Sequence, residues 1–203
     1  MQPLSCVKEK GLSHLENIKK VLQQFGPSSE EEWQLFASNL IEQSFKKGDF
    51  IIREGQVENY IYFLTEGITR SFFTKEGKEF TVDFHFANEF VSSYFSFLTR
   101  EPSQVSLEVL ETVRLYKVHH HFLQGFYKQY HNAERTGRLI AEFQYIRRLR
   151  REMELLSLTA EERYSQLLQR NPELVSRISI KHLSSYLGIQ PESLSRIRKA
   201  YSK

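Results

Sequence analysis

The chain has 203 residues, 40% of them apolar, and a formal net charge of +3, enough to bury a sizeable core in one large domain or two small ones. Cys6 is the only cysteine, which excludes an internal disulfide and a four-thiolate zinc or iron–sulfur site within one chain. No run approaches the roughly eighteen apolar residues of a membrane span, and residues 1–11 lack the apolar core of a secretory signal, so a cytoplasmic protein is expected.

Charge is unevenly spread: residues after His131 carry about +6 and the remainder about −3, which makes the C-terminal end the better face for a polyanion. Leu15, Ile18, Val21, Leu22 and Phe25 recur at helical spacing, with Ser13 and Glu16 placed as a capping box. They predict a first helix that ends near Gly26-Pro27. Ser29 followed by Glu30, Glu31 and Glu32 reads as the start of a second helix, with Trp33, Phe36, Ala37, Leu40 and Ile41 as its buried face.

From Phe45 to about Lys117 short runs rich in aromatic and β-branched residues alternate with turn signals. The predicted strands are 50–53, 60–64, 68–74, 79–86, 105–109 and 112–118. Turns are expected at Lys47-Gly48-Asp49, Glu54-Gly55-Gln56, Thr65-Glu66-Gly67, Lys75-Glu76-Gly77-Lys78 and Ala87-Asn88-Glu89. Apolar and polar residues alternate through 78–86, as in an antiparallel β-roll with one face buried.

After His119 the helical period returns. Leu139, Phe143, Ile146, Leu149, Met153 and Leu156 step by three or four residues, a seam suited to a partner helix; the alternative is a helix packed only on its own domain. Thr159-Ala160-Glu161-Glu162 caps a further helix through Leu168, stopped by Asn171-Pro172.

The C-terminal end carries the most specific pattern. Residues 179–187 predict a short helix, Gly188 a left-handed break, Ile189 an apolar plug, and Pro191 the first turn of a second helix. Leu183, Leu187, Leu194 and Ile197 then form a small shared core. The outer side presents Gln190, Glu192, Ser193, Ser195, Arg196 and Lys199, with Lys181 on the preceding helix. Arginine grips a guanine edge, glutamate accepts from cytosine, and serine or lysine anchors phosphate, so the pattern reads as a helix-turn-helix for double-stranded DNA. The alternative is an αα-hairpin with a solvated charged face.

Chemistry of other kinds finds less support. His119-His120-His121, with His85 in the same roll, raises the alternative of a cupin-like metal-dependent jelly-roll enzyme, but no Glu or further His follows at that spacing. Haem would need an axial ligand, for which only His85 or Cys6 offers itself, and no serine sits in a Gly-X-Ser-X-Gly elbow. No metal, cofactor or catalytic residue is expected; a small-molecule-binding module without DNA binding is the other alternative.

The segments Lys47-Gly48-Asp49-Phe50-Ile51-Ile52-Arg53-Glu54-Gly55, Tyr60-Ile61-Tyr62-Phe63-Leu64-Thr65-Glu66-Gly67 and Lys75-Glu76-Gly77-Lys78-Glu79 resemble the opening strands of the Crp/Fnr (catabolite activator) family. The resemblance covers nearly everything from about Ser44 onward. It implies an α+β protein: N-terminal helices and an antiparallel β-roll of the jelly-roll, cyclic-nucleotide-binding type over 1–131, a dimerisation helix over 132–157, and a helix-turn-helix over 158–203. The helix-turn-helix is winged-helix-like, with little room for the wing. A homodimer on pseudo-palindromic DNA is implied, with RNA polymerase as a candidate further partner. Glu192 and Arg196 match the family's base-reading acid and arginine, whereas Pro191 stands where its best-known members carry an arginine.

Cyclic-nucleotide-binding relatives present a Gly-Glu pair for the ribose and, about ten residues on, an Arg-Ser pair for the phosphate. Here Ser92-Ser93 and Pro102-Ser103-Gln104-Val105 stand at those places, so the charges that cyclic AMP needs are missing. Ser92, Ser93, Tyr94, Ser103, Gln104 and, from the long helix, Arg148 are the candidate lining for a different small-molecule effector, if there is one.

Overall fold

The computed structural model describes residues 14–201; Cys6 and the expected Ser13 cap lie outside them. Two short helices lead, α1 (His14–Gln23) and α2 (Glu30–Ser38). Ser29 closes a capping box on α2: its hydroxyl accepts from the Glu32 amide at 3.1 Å, and the Glu32 carboxylate accepts from the Ser29 amide at 2.6 Å. The helix stops earlier than expected, because Asn39 folds back and its side-chain amide donates to the Leu35 carbonyl at 2.9 Å. Ile41, expected on the helix's buried face, instead opens the first strand and is 51% exposed.

Six antiparallel strands make the roll: β1 (Ile41–Phe45), β2 (Phe50–Ile52), β3 (Tyr60–Lys75), β4 (Lys78–His85), β5 (Phe90–Val91) and β6 (Ser106–His119). The order is β1-β6-β3-β4, with β2 added to β6 and β5 to β3, so β4 is an edge. Helix α3 (Tyr94–Thr99) lies between β5 and β6. The strands expected at 60–64 and 68–74 are one continuous strand, and so are those at 105–109 and 112–118. Thr65-Glu66-Gly67 is a bulged stretch and not a turn: register against β6 shifts on both sides of Glu66. Gly67 has φ 86°, and a Cβ there would lie 2.3 Å from the Thr112 carbonyl oxygen. The irregularity has a packing consequence. Leu64 faces the roll interior with Val91, Leu107 and Val109, whereas Ile68 faces the other side.

Helices follow to the end: α4 (His120–Gln129), α5 (His131–Ser157), α6 (Ala160–Arg170), α7 (Pro172–Arg177), α8 (Ile180–Leu187) and α9 (Pro191–Tyr201). Asn171-Pro172 ends α6 and also starts α7, the Asn171 side chain accepting from the Leu174 amide with proline in the first turn. Among the described residues no strand follows His119, and the segment before Ile178 is taken up by α7. A second core joins α1, α2 and α4 to the outside of the roll through Ile18, Trp33, Phe36, Phe63, Leu123 and Phe126. The third belongs to the C-terminal helices and includes Ile68 and Phe84 of the roll. No helix among the described residues is long and apolar enough to cross a membrane.

Replacing Gly67 by alanine forces a side chain into both a left-handed backbone and the Thr112 carbonyl. The substitution is expected to lower the unfolding free energy by about 1–3 kcal/mol in urea titrations, whereas an unchanged midpoint would show that the bulge tolerates a Cβ.

Candidate nucleic-acid interface

Ser179 caps α8 by accepting from the His182 amide at 3.2 Å. Gly188, at φ 67°, ends it; its amide donates to the Ser184 and Ser185 carbonyls, and the Ile189 amide to Ser184 at 3.0 Å. Leu183, Leu187, Leu194 and Ile197 are all buried and hold α8 against α9. The opposite side of α9 is open: Gln190, Glu192, Ser195, Arg196 and Lys199 are exposed and Ser193 is half-buried. Among the described residues Glu192, Arg196 and Lys199 have no ion-pair partner, whereas the Ser195 hydroxyl is turned onto its own helix, donating to Pro191 at 3.0 Å. Lys181 is exposed but leans toward the roll, 3.9 Å from Glu79.

The helix-turn-helix is fastened to the free edge of β4. Ser185 reaches across, its hydroxyl accepting from the Thr81 amide at 2.9 Å and donating to the Glu79 carbonyl at 3.0 Å. An edge strand's unpaired backbone groups are thereby satisfied. Beside them Arg70, 2% exposed, donates to Glu79 at 2.8 Å and Glu108 at 3.0 Å. Burial works against ionisation of Glu79, but the hydrogen bond and charge of Arg70 prevail and hold its pKa below the ordinary value. The C-terminal carbonyls of α8 meet two arginines: Arg151 donates to Tyr186 and stacks on its ring at 3.7 Å, and Arg163 donates to Leu187 at 3.1 Å. Arg177 pairs with Glu111 on the roll.

Helix α5 buries no residue fully. Ile146, Leu149, Met153 and Leu156 stand 48%, 42%, 59% and 83% exposed along one line. The first two members of the expected seam differ: Leu139 is partly covered, and Phe143 packs edge-on against Phe25 of its own chain at 5.8 Å. Arg147, on the roll side of α5, pairs with Asp83 and Glu89 at 3.2 Å each.

The expected effector residues divide. Ser93 and Ser103 are buried and bonded to each other at 2.6 Å, so they close the interior and do not line a cavity. Gln104 is exposed at the surface. Next to them sits Glu58, which no sequence pattern marked; it is 1% exposed, accepting from the Tyr60 amide at 3.0 Å and the Tyr62 hydroxyl at 2.9 Å. Burial raises the Glu58 pKa despite these hydrogen bonds. Ser92, Tyr94 and Arg148 do come together, in a cleft of about 800 Å³ bounded by α1, α2, α4, α5 and the outside of the roll. Two of the three histidine rings are engaged locally: His119 accepts from the His121 amide at 3.1 Å, and His120 packs on Phe97. Among the described residues no three potential metal ligands converge.

The described residues thus run from a β-roll through one long helix to a helix-turn-helix whose outer side is open and carries Arg196 and Lys199. Residues 42–130 match the cyclic nucleotide-binding domain family. Over most of its length the chain has the fold of Crp/Fnr-type regulators. FixK2 of Bradyrhizobium japonicum superposes with a TM-score of 0.69 at 20% identity, covering 79% of this chain and 83% of its own. The c-di-GMP-responsive global regulator CLP of Xanthomonas campestris gives 0.68 at 19% identity, covering 86% and 92%. The catabolite activator protein of Thermus thermophilus gives 0.56 at 20%, covering 90% and 86%. No curated protein sequence matches the chain significantly.

His85 links this frame to pH. Its ring bonds to the Ser71 hydroxyl at 2.7 Å, and burial lowers its pKa from 6.5 to about 4, against the pull of Asp83 and with help from Arg147 and Arg148. Between those values the unfolded chain binds a proton that the native chain does not, so the contribution is full above pH 6.5 and lost as pH falls toward 4. Wild-type melting temperature is expected to fall across that window more steeply than that of His85→Gln; parallel profiles would contradict the assignment.

Proposed function

We propose that the chain is a transcription regulator that binds an inverted-repeat operator as a homodimer, pairing through α5 and reading the major groove with α9. The observation that carries the proposal is the open side of α9, where Glu192, Arg196 and Lys199 are exposed and, among the described residues, have no ion-pair partner, above a packed helix-turn-helix core. Arginine at a groove edge reads bases and lysine holds phosphate, so the two side chains have separable roles. Residues 1–131 serve as sensor, 132–157 as dimer helix and 158–203 as reading head.

The exposed line Ile146, Leu149, Met153 and Leu156 supports pairing of two copies, because such a row left in water along one helix asks for a partner. Dimerisation places two α9 helices on one duplex, about one helical turn apart. Pro191 alters the start of the reading helix, so base preference differs from that of relatives with arginine there. The roll interior is unsuited to cyclic AMP: Ser93 and Ser103 satisfy each other, and the charged group buried beside them is the acid Glu58 and not a cation. Burying a phosphate without such a partner costs several kcal/mol, and about 1.4 kcal/mol is already a tenfold loss.

Binding of purified protein to its own promoter tests the reading head. Arg196→Ala is expected to cost about 1–3 kcal/mol and relax preference at one position, while Lys199→Ala weakens all sequences alike and lowers the salt slope by about one. If both variants bind as wild type does, α9 is not the reading helix. The seam has its own test. Met153→Glu with Leu156→Glu should sediment as a monomer and lose operator affinity at least about tenfold, since one half-site then binds alone; a dimer that persists would place the interface elsewhere.

A further inference from the structure

We infer that the cleft between the N-terminal helices, α4 and α5 as far as Arg148 is a binding site for an apolar small molecule carrying one carboxylate or similar anionic group. The inference rests on the regulator reading and gives it an effector class and an effector position. At about 800 Å³ the cleft has the size of sites for drug-sized ligands. Trp33, Phe36, Phe90, Phe126, Ile140 and Ala141 supply its apolar walls. It is distinct from the roll interior, since Ile61 and Val118 line it on the outside of the sheet and Ser93 and Ser103 do not.

Charge selects the anion. Three carboxylates reach the cleft, and each is already matched: Glu32 in its capping box, Asp83 with Arg147 at 3.2 Å, and Glu142 with Arg138 at 2.6 Å. His85 is bonded to Ser71 and neutral at pH 7. Arg148 remains, and among the described residues no carboxylate pairs with it. Neutral polar groups also line it: Ser28, Ser92, Asn132, Thr136, Gln144 and three phenols, of which Tyr145 is turned largely to solvent. Tyr94 and Tyr127 line the cleft, and among the described residues neither hydroxyl has a hydrogen-bond partner. Burial pushes Tyr127 up to about 12, so it remains a donor. A Cβ on Gly137 would lie 2.4 Å from the Tyr127 hydroxyl, so glycine lets that phenol lie against α5. Two O–H donors and a guanidinium suit a carboxylate, and the aromatic walls suit an apolar body.

Occupancy would be felt at the dimer seam, because Ile146 both lines the cleft and belongs to the exposed row on α5. A ligand that prefers one position of α5 would thereby shift the spacing of the two reading heads.

Calorimetric titration of the full chain without DNA tests the site, using biphenyl-4-carboxylate and its neutral carboxamide. The acid is expected to bind saturably, one molecule per chain, and at least about tenfold tighter than the amide. Arg148→Gln should reduce the acid to the amide's affinity and leave the amide unchanged, and Ala141→Trp, which fills the cleft, should abolish both. Tyr127→Phe, a change of a single hydroxyl, should weaken the acid and serves as the check if the tryptophan variant does not fold. Absence of saturable binding, or binding indifferent to Arg148→Gln and Tyr127→Phe, overturns the inference. Promoter binding measured on the same samples separates the two readings: a chain that takes the acid but ignores DNA keeps the site and loses the regulator, and the converse loses only the site.

Discussion

The docking of α8 on the free edge of β4 is the contact on which the rest of the structure depends. Two hydrogen bonds from Ser185 fix its register, each contributing about 1 kcal/mol, and Ile68 and Phe84 contribute more, about 1.5–3 kcal/mol apiece for full burial. The apolar burial therefore holds the helix-turn-helix on the roll, while Ser185 and the arginines add directional hydrogen bonds. Because Ile68 and Phe84 sit in the core of the C-terminal helices, that head is not a separate body on a tether. Movement in the roll must move α8, and with it α9.

The same logic runs along α5. Its roll-facing side is tied by Arg147 to Asp83 and Glu89, and its far end by Arg151 to the carbonyl end of α8. One helix therefore touches the sheet, the reading head and, in the proposed dimer, its own copy. A change in the cleft has a short mechanical route to the proposed DNA face, since half-buried ion pairs and packed side chains change between discrete arrangements and do not stretch. The interior of the roll looks instead like a finished core. Ser93 and Ser103 bond to each other, and the buried Glu58 carboxylate is taken up by Tyr60 and Tyr62, which moves the search for an effector to the outer side of the sheet.

Local features were legible in the sequence and long-range ones were not. Leu183, Leu187, Leu194 and Ile197 announce the helix pair because their period and Gly188 are local signals, and Ser29 with its acids announces a helix start for the same reason. Gly67 misled, because a glycine after Thr65-Glu66 reads as a turn although here it serves a bulge within one long strand. Ile41 misled because helical and strand periods overlap at the end of a short helix. Phe143 has the spacing of the seam but is taken by Phe25, far away in the chain. Ser185, Arg70 and Glu58 gave no signal, since each matters through partners brought near only by the folded roll.

The most direct measurement of the central claim is selection of bound fragments from a random duplex pool by the wild-type protein. Enrichment of one inverted repeat, its half-site centres about one helical turn apart, is the expected result. Recovery of no preferred sequence at low salt, or of single asymmetric sites only, would contradict a paired reading head built on α5 and α9.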